Sequence, residues 1–570
     1  MTTVPESRVQ KASFSAFARQ VVRATVLLLF RLVYRVRVVG RENLPPDSAA
    51  LLIANHVTYI DAILIGAEAG RRWIRFVIFR EFLDKPVIGT LLRFFLAVPV
   101  SPSRAKEALK ITTQVLRRGD LVCVFPEGQL TRHGLLNPLK RGFEIMARGA
   151  SVPVVPIWLD NVWGSIFSFE RQRFFGKRPR HLPYHVGVYF GQPIAPAQAS
   201  AESCTSALRA LSAQALNDRP ELRSSLDFEI IAALRKRPRH ACFIDGRNVW
   251  SCGKVLATAL SLAARWKNLP GRVVRVVMPA GVEAALTNIA LVIAGKIPLN
   301  ARAGNTLVAK PGSNERALAA MAVAESQASR LRFIDGLPGS FAQPVIDLAE
   351  FQRVLATANP IALGMQRLLA WWPTDWFVQR VPGEGACVAL ETSAFTHRSL
   401  LAQILQLTGT SFLAGKDALL TSEPLHTAAG SVLGLWYPIL IGIPIAFHPP
   451  PSGFPSVVAL GEPPPGLTPA FTLNPGLNCL ALDHLPAVIT ISQPDPPIVT
   501  STSNPQSGAK AGTLGRLLSG FATAFDEHGE LMVGGPAVPN RYDSFVPTGL
   551  RAHFDEDDML VSDDARPTNT

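Results

Sequence analysis

From residue 46 onward the chain alternates between short, strongly apolar runs and longer amphipathic stretches, and few folds accommodate this alternation. Apolar runs of about four to eight residues predict buried strands, whereas amphipathic stretches with a period of about 3.6 residues predict helices. Strands that alternate with helices predict an α/β fold built in layers. The strands are predicted at Ala50–Ala54, Ile74–Phe79, Leu121–Phe125, Val152–Leu159 and Val186–Phe190, and the helices at Ala105–Arg118 and Phe143–Arg148.

A second α/β pattern starts near Leu226, with predicted strands at 241–245 and 273–278 and predicted helices at 254–266 and 281–294. Because a domain averages about 150 residues, we expect two or three domains in this chain. The predicted organisation is a basic segment 1–45, a first α/β domain 46–196, a helical linker 197–225, a larger α/β domain 226–554 and an acidic tail 555–570.

The composition excludes several classes of protein. Hydrophobic residues make up 48% of the chain and charged residues 18%, which excludes wholesale disorder. The six cysteines include no CxxC pair, which disfavours a disulfide scaffold, an iron–sulfur site or a zinc ribbon and suits a reducing compartment. The net charge of +14 indicates an anionic partner, namely nucleic acid, anionic lipid or a phosphorylated substrate. Nucleic acid is disfavoured, because the basic residues lie among aliphatic runs and form no known reader motif.

Residues 8–41 carry eight arginine and lysine residues, with apolar residues between them and no acidic residue. This pattern is typical of a helix that lies in a lipid interface; the alternative is a helix packed on the next domain. No apolar window matches the roughly 20 residues of a spanning helix, and no signal-peptide pattern is present. We therefore expect a peripheral protein on the cytoplasmic face of the inner (plasma) membrane, in contact with an anionic membrane surface.

Two polar motifs each follow a predicted strand, where the carboxyl edge of a sheet usually carries a site. In the first motif, His56 is expected at the strand-to-helix turn and Asp61 about one turn into the helix. A carboxylate there would bond one ring nitrogen of His56, fix the tautomer and make the other nitrogen a better base. The nucleophile of such a pair would be a substrate hydroxyl.

The second motif, Phe125–Arg132, supplies a carboxylate, a glycine and an arginine at another strand end. Arg132 suits a phosphate because its guanidinium donates several charge-assisted hydrogen bonds, and Gly128 allows close approach of the backbone. Taken alone, each motif also fits a surface ion pair or a β-turn.

Together with Val152–Ile157, these motifs resemble the successive sequence blocks of the glycerolipid acyltransferases, over about residues 30–196. The resemblance implies that His56 is the general base, that Asp61 orients it and that Asn55 shapes the site. It also implies a basic pocket for the acceptor phosphate. Beside Asn55, the predicted substrate-binding residues are Arg80, Arg104, Glu127, Gly128 and Arg132, with Glu127 fitting either acceptor binding or loop geometry.

The first domain departs from the common family pattern at Leu130, where an arginine is usual, and carries Arg132 two residues later. The form Gln129–Arg132 resembles the branch that is fused to acyl-carrier-protein synthetases and acts on lysophospholipids. In this family context, the basic residues between 171 and 180 are predicted to meet lipid headgroups.

The second domain resembles the adenylate-forming, acyl-activating enzymes at residues 241–246, 277–281, 396–401 and 512–516. Those enzymes hold ATP phosphates with a glycine-rich loop and a lysine. The corresponding segment 388–398 lacks the glycines and the lysine, and Thr548–Leu550 lacks the carboxylate that grips ribose. We also expect the small terminal domain with its catalytic lysine to be missing. We therefore predict an N-terminal α/β acyltransferase domain followed by a larger, degenerate adenylate-forming-like domain.

The predicted activity is transfer of a fatty acyl group from a thioester to the free hydroxyl of a lysophospholipid or lysophosphatidic acid. The donor would be acyl carrier protein or coenzyme A, and neither a metal nor another cofactor is expected, because a thioester is already activated. One alternative is a bifunctional enzyme whose second half is an ATP-dependent fatty acid ligase. Another is a second half that serves as a non-catalytic docking module for acyl carrier protein, through basic residues at 235–239.

Overall fold

The computed structural model divides into two compact units, residues 1–215 and 216–570. The described residues are 25, 33–70, 72–79, 98–100, 105–169, 183–302, 344–357, 385–390, 393–410, 412–413, 416–451, 454, 456–465, 467–475, 479–491, 510, 512–538 and 544–563. Within them, no helix combines the length and apolar character needed to cross a lipid bilayer.

The described part of the first unit contains one seven-stranded sheet, in the order β1-β7-β6-β2-β5-β3-β4. Neighbouring strands are parallel except for the antiparallel pair β6 and β7. The strands are β1 (Tyr34–Val39), β2 (Ala50–Ala54), β3 (Ile74–Phe79), β4 (Val98–Val100), β5 (Leu121–Val124), β6 (Val154–Asp160) and β7 (Tyr184–Phe190).

Helices cover both faces of this sheet, because the central strand β2 is apolar on both sides. Alternate residues of β2 enter two separate apolar clusters, with Leu52 in one and Leu51 and Ile53 in the other. Leu64 of α1 packs in the first cluster, and the other three helices contribute to the second. The helices are α1 (Asp61–Glu68), α2 (Ala105–Arg117), α3 (Gly142–Ala150) and α4 (Ala201–Asn217).

The α/β architecture predicted from the sequence is confirmed, and the predicted strands of the first domain agree with the observed ones to within two residues at each end. The basic segment 1–45 differs, since residues 34–39 form strand β1, paired in parallel with β7. Tyr34, Val36 and Val38 face the core and Arg35 and Arg37 alternate with them, which is the period of a strand. A helix is therefore the wrong prediction for residues 34–39; residues 1–24 and 26–32 lie outside the described residues.

The predicted linker 197–225 is also corrected, because its helix α4 belongs to the core of the first unit. Cys204, Leu208, Leu211 and Ala215 recur three or four residues apart and are all buried in one cluster. That spacing gives α4 an apolar stripe, which a free linker would not bury.

The second unit contains four sheets in its described residues, with five, six, three and four strands. Its strands are β8 (Ala241–Asp245), β9 (Asn248–Ser251), β10 (Val273–Val277), β11 (Ile297–Asn300), β12 (Val345–Asp347), β13 (Ala386–Ala389), β14 (Ala394–Thr396), β15 (Ala418–Thr421), β16 (Ile445–Ala446), β17 (Val457–Leu460), β18 (Phe471–Leu473), β19 (Cys479–Leu482), β20 (Ala487–Ile491), β21 (Arg516–Leu517), β22 (Ala522–Phe525), β23 (Glu530–Gly534), β24 (Val546–Phe554) and β25 (Leu560–Ser562). Its helices are α5 (Leu226–Lys236), α6 (Cys252–Trp266), α7 (Val282–Ile293), α8 (Leu348–Ala356), α9 (His397–Thr408), α10 (Ala428–Ser431) and α11 (Tyr437–Ile441).

The predicted acidic tail 555–570 begins with a hairpin turn instead. Asp555 and Asp558 lie in the turn between β24 and β25, and the two strands pair antiparallel. The Lys510 ammonium lies 2.7 Å from a carboxylate oxygen of both Asp555 and Asp557, which offsets the local negative charge. Residues 564–570 lie outside the described residues.

Candidate active site

The first polar motif lies where strand β2 ends and helix α1 begins. Asp61 is the first residue of α1, one turn earlier than predicted. Its carboxylate accepts hydrogen bonds from the backbone N–H groups of Val57, at 2.6 Å, and Thr58, at 2.8 Å. The turn therefore closes around the Asp61 side chain, and the start of the helix also favours its negative charge.

His56 and Asp61 form a hydrogen-bonded pair, with 3.0 Å between His56 Nδ1 and Asp61 Oδ2. The Thr58 hydroxyl also donates to Asp61, whose side chain is wholly buried. Because the other groups around this carboxylate are all donors, we assign the ring proton to Nδ1 of His56. No hydrogen bond to His56 Nε2 is formed within the described part of the chain, and 22% of the His56 side chain is exposed.

The loop after strand β5 holds His56 from the other side. The Thr131 N–H donates to the His56 carbonyl at 2.8 Å, and the Phe125 ring stacks on the imidazole with centroids 3.9 Å apart. The two polar motifs are therefore brought together in space, as their positions at strand ends predict.

Asn55 is buried and connects two strands, in place of the predicted contact with substrate. Its side-chain amide donates to the Leu159 carbonyl at 3.1 Å and accepts from the Leu159 N–H at 2.7 Å. This pair of bonds joins the end of β2 to β6 and fixes the backbone just before His56. These bonds are consistent with the expectation that Asn55 shapes the site.

Glu127 is 2% exposed, and its carboxylate faces the protein interior. One oxygen accepts from the His56 N–H at 2.6 Å; the other accepts from the backbone and side-chain N–H groups of Asn137, at 2.9 and 2.8 Å. Burial raises the pKa of Glu127 to about 8, and the three N–H donors act in the opposite direction. The sequence left two roles open for Glu127, and these bonds support the role in loop geometry over the role in acceptor binding.

Gly128 and Arg132 are half-buried residues of the same loop. Gly128 has a φ of 73°, which favours glycine, and a Cβ there would lie 2.7 Å from Lys140 Nζ. The Arg132 guanidinium lies 5.5 Å from the centre of the Phe169 ring, and burial lowers the pKa of Arg132. Two cationic groups, Arg132 and the exposed Lys140, therefore belong to the loop that contacts His56.

Two predicted substrate-binding residues, Arg80 and Arg104, lie outside the described residues, as does the basic run 171–180. Sequence reasoning missed Asn137, His133 and Lys140, because their connection to the motif appears only when the loop folds back. In the described ranges, no group of three or more His, Cys, Asp or Glu side chains could hold a metal ion.

The segment compared with a phosphate loop, in the second unit, forms a tight hairpin. Ala389 of β13 pairs with Ala394 of β14, and the Leu390 N–H donates to the Ser393 carbonyl at 2.8 Å. Two residues remain between Leu390 and Ser393, Glu391 and Thr392, and both lie outside the described residues. The Ser393 hydroxyl is bonded to the carbonyl of Asp483. A phosphate loop instead offers a series of backbone N–H groups to its ligand.

The segment compared with a ribose-binding motif is part of a sheet. The Thr548 hydroxyl donates to the Leu531 carbonyl at 2.8 Å, and the Gly549 N–H donates to the Glu530 carboxylate at 2.7 Å. Both groups therefore bond to strand β23.

The residues of this site lie within a segment that matches a known protein family. Residues 35–160 match the family model described as Acyltransferase. A 1-acyl-sn-glycerol-3-phosphate acyltransferase of Bacillus subtilis is 30% identical over 122 residues, which are 21% of this chain and 60% of that protein. Lysophosphatidylcholine acyltransferase 1 of Rattus norvegicus is 33% identical over 132 residues, 22% of this chain and 23% of that protein. The chain thus spans less than two thirds of either relative.

A solved structure also aligns with part of the chain. The N-terminal domain of FACL13 from Mycobacterium tuberculosis aligns with 60% of this chain and 99% of its own, at 12% identity and a TM-score of 0.40. The sequence match and the two polar motifs both lie in the first unit. Over residues 35–160, which carry both polar motifs, this protein is similar to the acyltransferase family.

Proposed function

We propose that the protein transfers a fatty acyl group from a thioester to the free hydroxyl of a lysophospholipid or lysophosphatidic acid, with His56 as general base. The observation that carries this proposal is the His56–Asp61 pair. Asp61 is buried among donors and bonded to Nδ1, so Nε2 is left for a substrate proton. The names of the two relatives support the acceptor class, since both describe acyl transfer to a lysophospholipid-type acceptor.

In the proposed reaction, His56 Nε2 removes the proton of the acceptor hydroxyl as its oxygen attacks the thioester carbonyl carbon. Asp61 stabilises the imidazolium that results. The tetrahedral intermediate collapses, the carbon–sulfur bond breaks, and the imidazolium returns the proton to the thiolate. The products are an ester and a free thiol, and the step uses neither a metal nor another cofactor.

The acceptor phosphate is proposed to bind the cationic side of the loop after β5. Arg132 supplies a guanidinium suited to phosphate, and stacking on Phe169 restricts its position. Arg80 and Arg104 remain predictions for the same pocket. The donor is proposed to be acyl carrier protein or acyl-coenzyme A.

The second unit is proposed to be a degenerate adenylate-forming-like domain without ATP chemistry. The hairpin between β13 and β14 favours this reading over an active fatty acid ligase, because its short connection offers few N–H groups to a polyphosphate. We also propose peripheral attachment to the cytoplasmic face of an anionic membrane, supported by the basic residues before β1.

The direct test is an acyl-transfer assay of the full-length protein. Labelled acyl groups on acyl carrier protein and on coenzyme A are each offered to a panel of lysolipids that includes 1-acylglycerol 3-phosphate. We expect transfer with at least one pair, and a loss of at least about 100-fold in turnover for His56→Ala. Wild-type rates from a folded His56→Ala protein would refute the assignment of the base.

A further inference from the structure

A buried polar network lies behind the site, and neither the sequence motifs nor the proposed reaction accounts for it. It consists of His133, Asn137 and Glu127, which are 0%, 3% and 2% exposed. Buried polar side chains are stable only when hydrogen-bonded, so the direction of each bond here can be assigned.

The network begins at His133. The Leu135 N–H donates to His133 Nδ1 at 3.2 Å, closer than the Thr131 hydroxyl at 3.4 Å, and we therefore assign the ring proton to Nε2. His133 Nε2 is 3.1 Å from Asn137 Oδ1 and donates to it. This bond fixes the orientation of the Asn137 amide and directs its NH₂ group away from His133.

The network continues through Asn137 to the turn that carries His56. Asn137 Nδ2 donates to one oxygen of Glu127 at 2.8 Å, and the other oxygen accepts from the His56 N–H at 2.6 Å. Glu127 is thereby held between the loop and His56, which lies 71 residues earlier in the chain. A general base must stay within hydrogen-bonding distance of the proton it removes, so a displaced backbone at His56 lowers turnover.

We propose that His133 and Asn137 are positioning residues, which hold the His56 backbone through the Glu127 carboxylate. The inference rests on the proposed role of His56 as base. It assigns no contact with substrate to either residue. Its consequence is that loss of the network lowers kcat more than it changes KM, because the bonds of the network end at the His56 backbone and not at the acceptor.

Three variants of the full-length protein test the proposal. His133→Leu removes both polar atoms of the ring, whereas His133→Gln keeps a donor for Asn137. Asn137→Asp replaces the NH₂ group that faces Glu127 with an acceptor oxygen. The matched control is Asn43→Asp, because Asn43 Nδ2 also donates to a distant oxygen, the Phe190 carbonyl, at 2.9 Å within the same unit.

The first measurement is amide hydrogen exchange of a peptide that contains His56, which needs no substrate. We expect faster exchange in His133→Leu and Asn137→Asp, a wild-type rate in Asn43→Asp, and partial recovery in His133→Gln. An unchanged rate in both His133→Leu and Asn137→Asp would overturn the proposal, whatever the activity of the protein.

The second measurement is steady-state kinetics with 1-acylglycerol 3-phosphate and acyl-coenzyme A, or with the acyl-carrier-protein thioester if that is the active donor. We expect kcat to fall about ten- to hundredfold in His133→Leu and Asn137→Asp, the cost of leaving a buried hydrogen-bonding group without its partner, with KM nearly unchanged. Wild-type kcat in a variant with accelerated exchange would contradict the positioning role. A wild-type protein that transfers no acyl group would instead refute the proposed function, while the exchange result stands by itself.

Discussion

The residues of the site illustrate which roles a local pattern can reveal. His56 and Asp61 are five residues apart, so their pairing follows from one turn of chain, and the sequence predicts it. The start of α1 at Asp61 was not predicted, because it depends on the Val57 and Thr58 N–H groups that the carboxylate accepts. Glu127 and Asn55 were predicted to bind substrate, but both bond to other parts of the protein. Their partners lie 71 and 104 residues away, so a local sequence pattern does not reveal these bonds.

Replacement of the Asp61 carboxylate by an amide should remove most of the activity. Asparagine offers one acceptor oxygen where Asp61 accepts four hydrogen bonds, and its NH₂ group would face a donor. We expect Asp61→Asn to lower kcat at least about 100-fold. The control is Glu68→Gln on the same helix, where Glu68 pairs with Arg41 at 3.0 Å away from the site, and it should retain activity. Equal activity of Asp61→Asn and Glu68→Gln would contradict the role of Asp61.

Glu127 should make the stability of the protein fall as pH rises. Burial raises its folded-state pKa to about 8, the Asp61 charge acts in the same direction, and the unfolded value is about 4.3. The folded state therefore binds an extra proton between these values. Its stabilising effect is complete below about pH 4.3 and is lost as pH rises through about 8.

Thermal unfolding of the wild type and of Glu127→Gln across pH 5 to 8.5 measures this contribution. The variant cannot ionise, so its Tm should decline less over that range, by roughly 10 °C relative to the wild type. Parallel declines in Tm would show that Glu127 ionises similarly in both states.

At the scale of elements, strands formed by nearly continuous apolar runs were predicted best. The bounds of β2 and β3 agree with the sequence prediction at both ends. Strand β1 was missed because its arginines alternate with Tyr34, Val36 and Val38, and the surrounding basic residues favoured a helix. Helix α4 was recognised as a helix, but only its buried stripe shows that it belongs to the first core.

The position of β1 predicts different results for two truncations. Removal of residues 1–32 should release the protein from anionic vesicles without lowering its Tm. Removal of residues 1–41 should also lower the Tm, because it deletes strand β1, which pairs with β7 and contributes the buried side chain of Tyr34 to the core. Vesicle co-sedimentation and thermal unfolding distinguish the two. Equal Tm values for both truncations would show that β1 contributes nothing to stability.

At the scale of the whole molecule, the candidate active site lies in the first unit, although the second unit is longer. The sequence predicted the α/β class of both units, which depends on apolar periodicity. It also singled out the missing glycines and lysine of segment 388–398. The hairpin between β13 and β14 became visible only through the pairing of Ala389 with Ala394.

We accordingly expect the intact protein to release no pyrophosphate when given ATP and a free fatty acid, and to show no saturable ATP binding at millimolar concentration. A short hairpin supplies too few N–H donors for a triphosphate. Pyrophosphate release and isothermal titration measure the two properties, and acyl transfer from a preformed thioester is the positive control. Formation of an acyl adenylate would overturn the assignment of the second unit.

The bonds that align His56 also bear on the order of events during synthesis. His56 is synthesised well before the residues that hold it in place, because its N–H group bonds to Glu127 and the preceding Asn55 bonds to Leu159 of β6. Contacts between such distant residues form late, because closing long loops costs conformational entropy. A nascent chain that ends before β6 therefore carries the complete first motif without an aligned base. We therefore expect a chain to gain the proposed transferase activity only after β6 has been synthesised and has paired with β2.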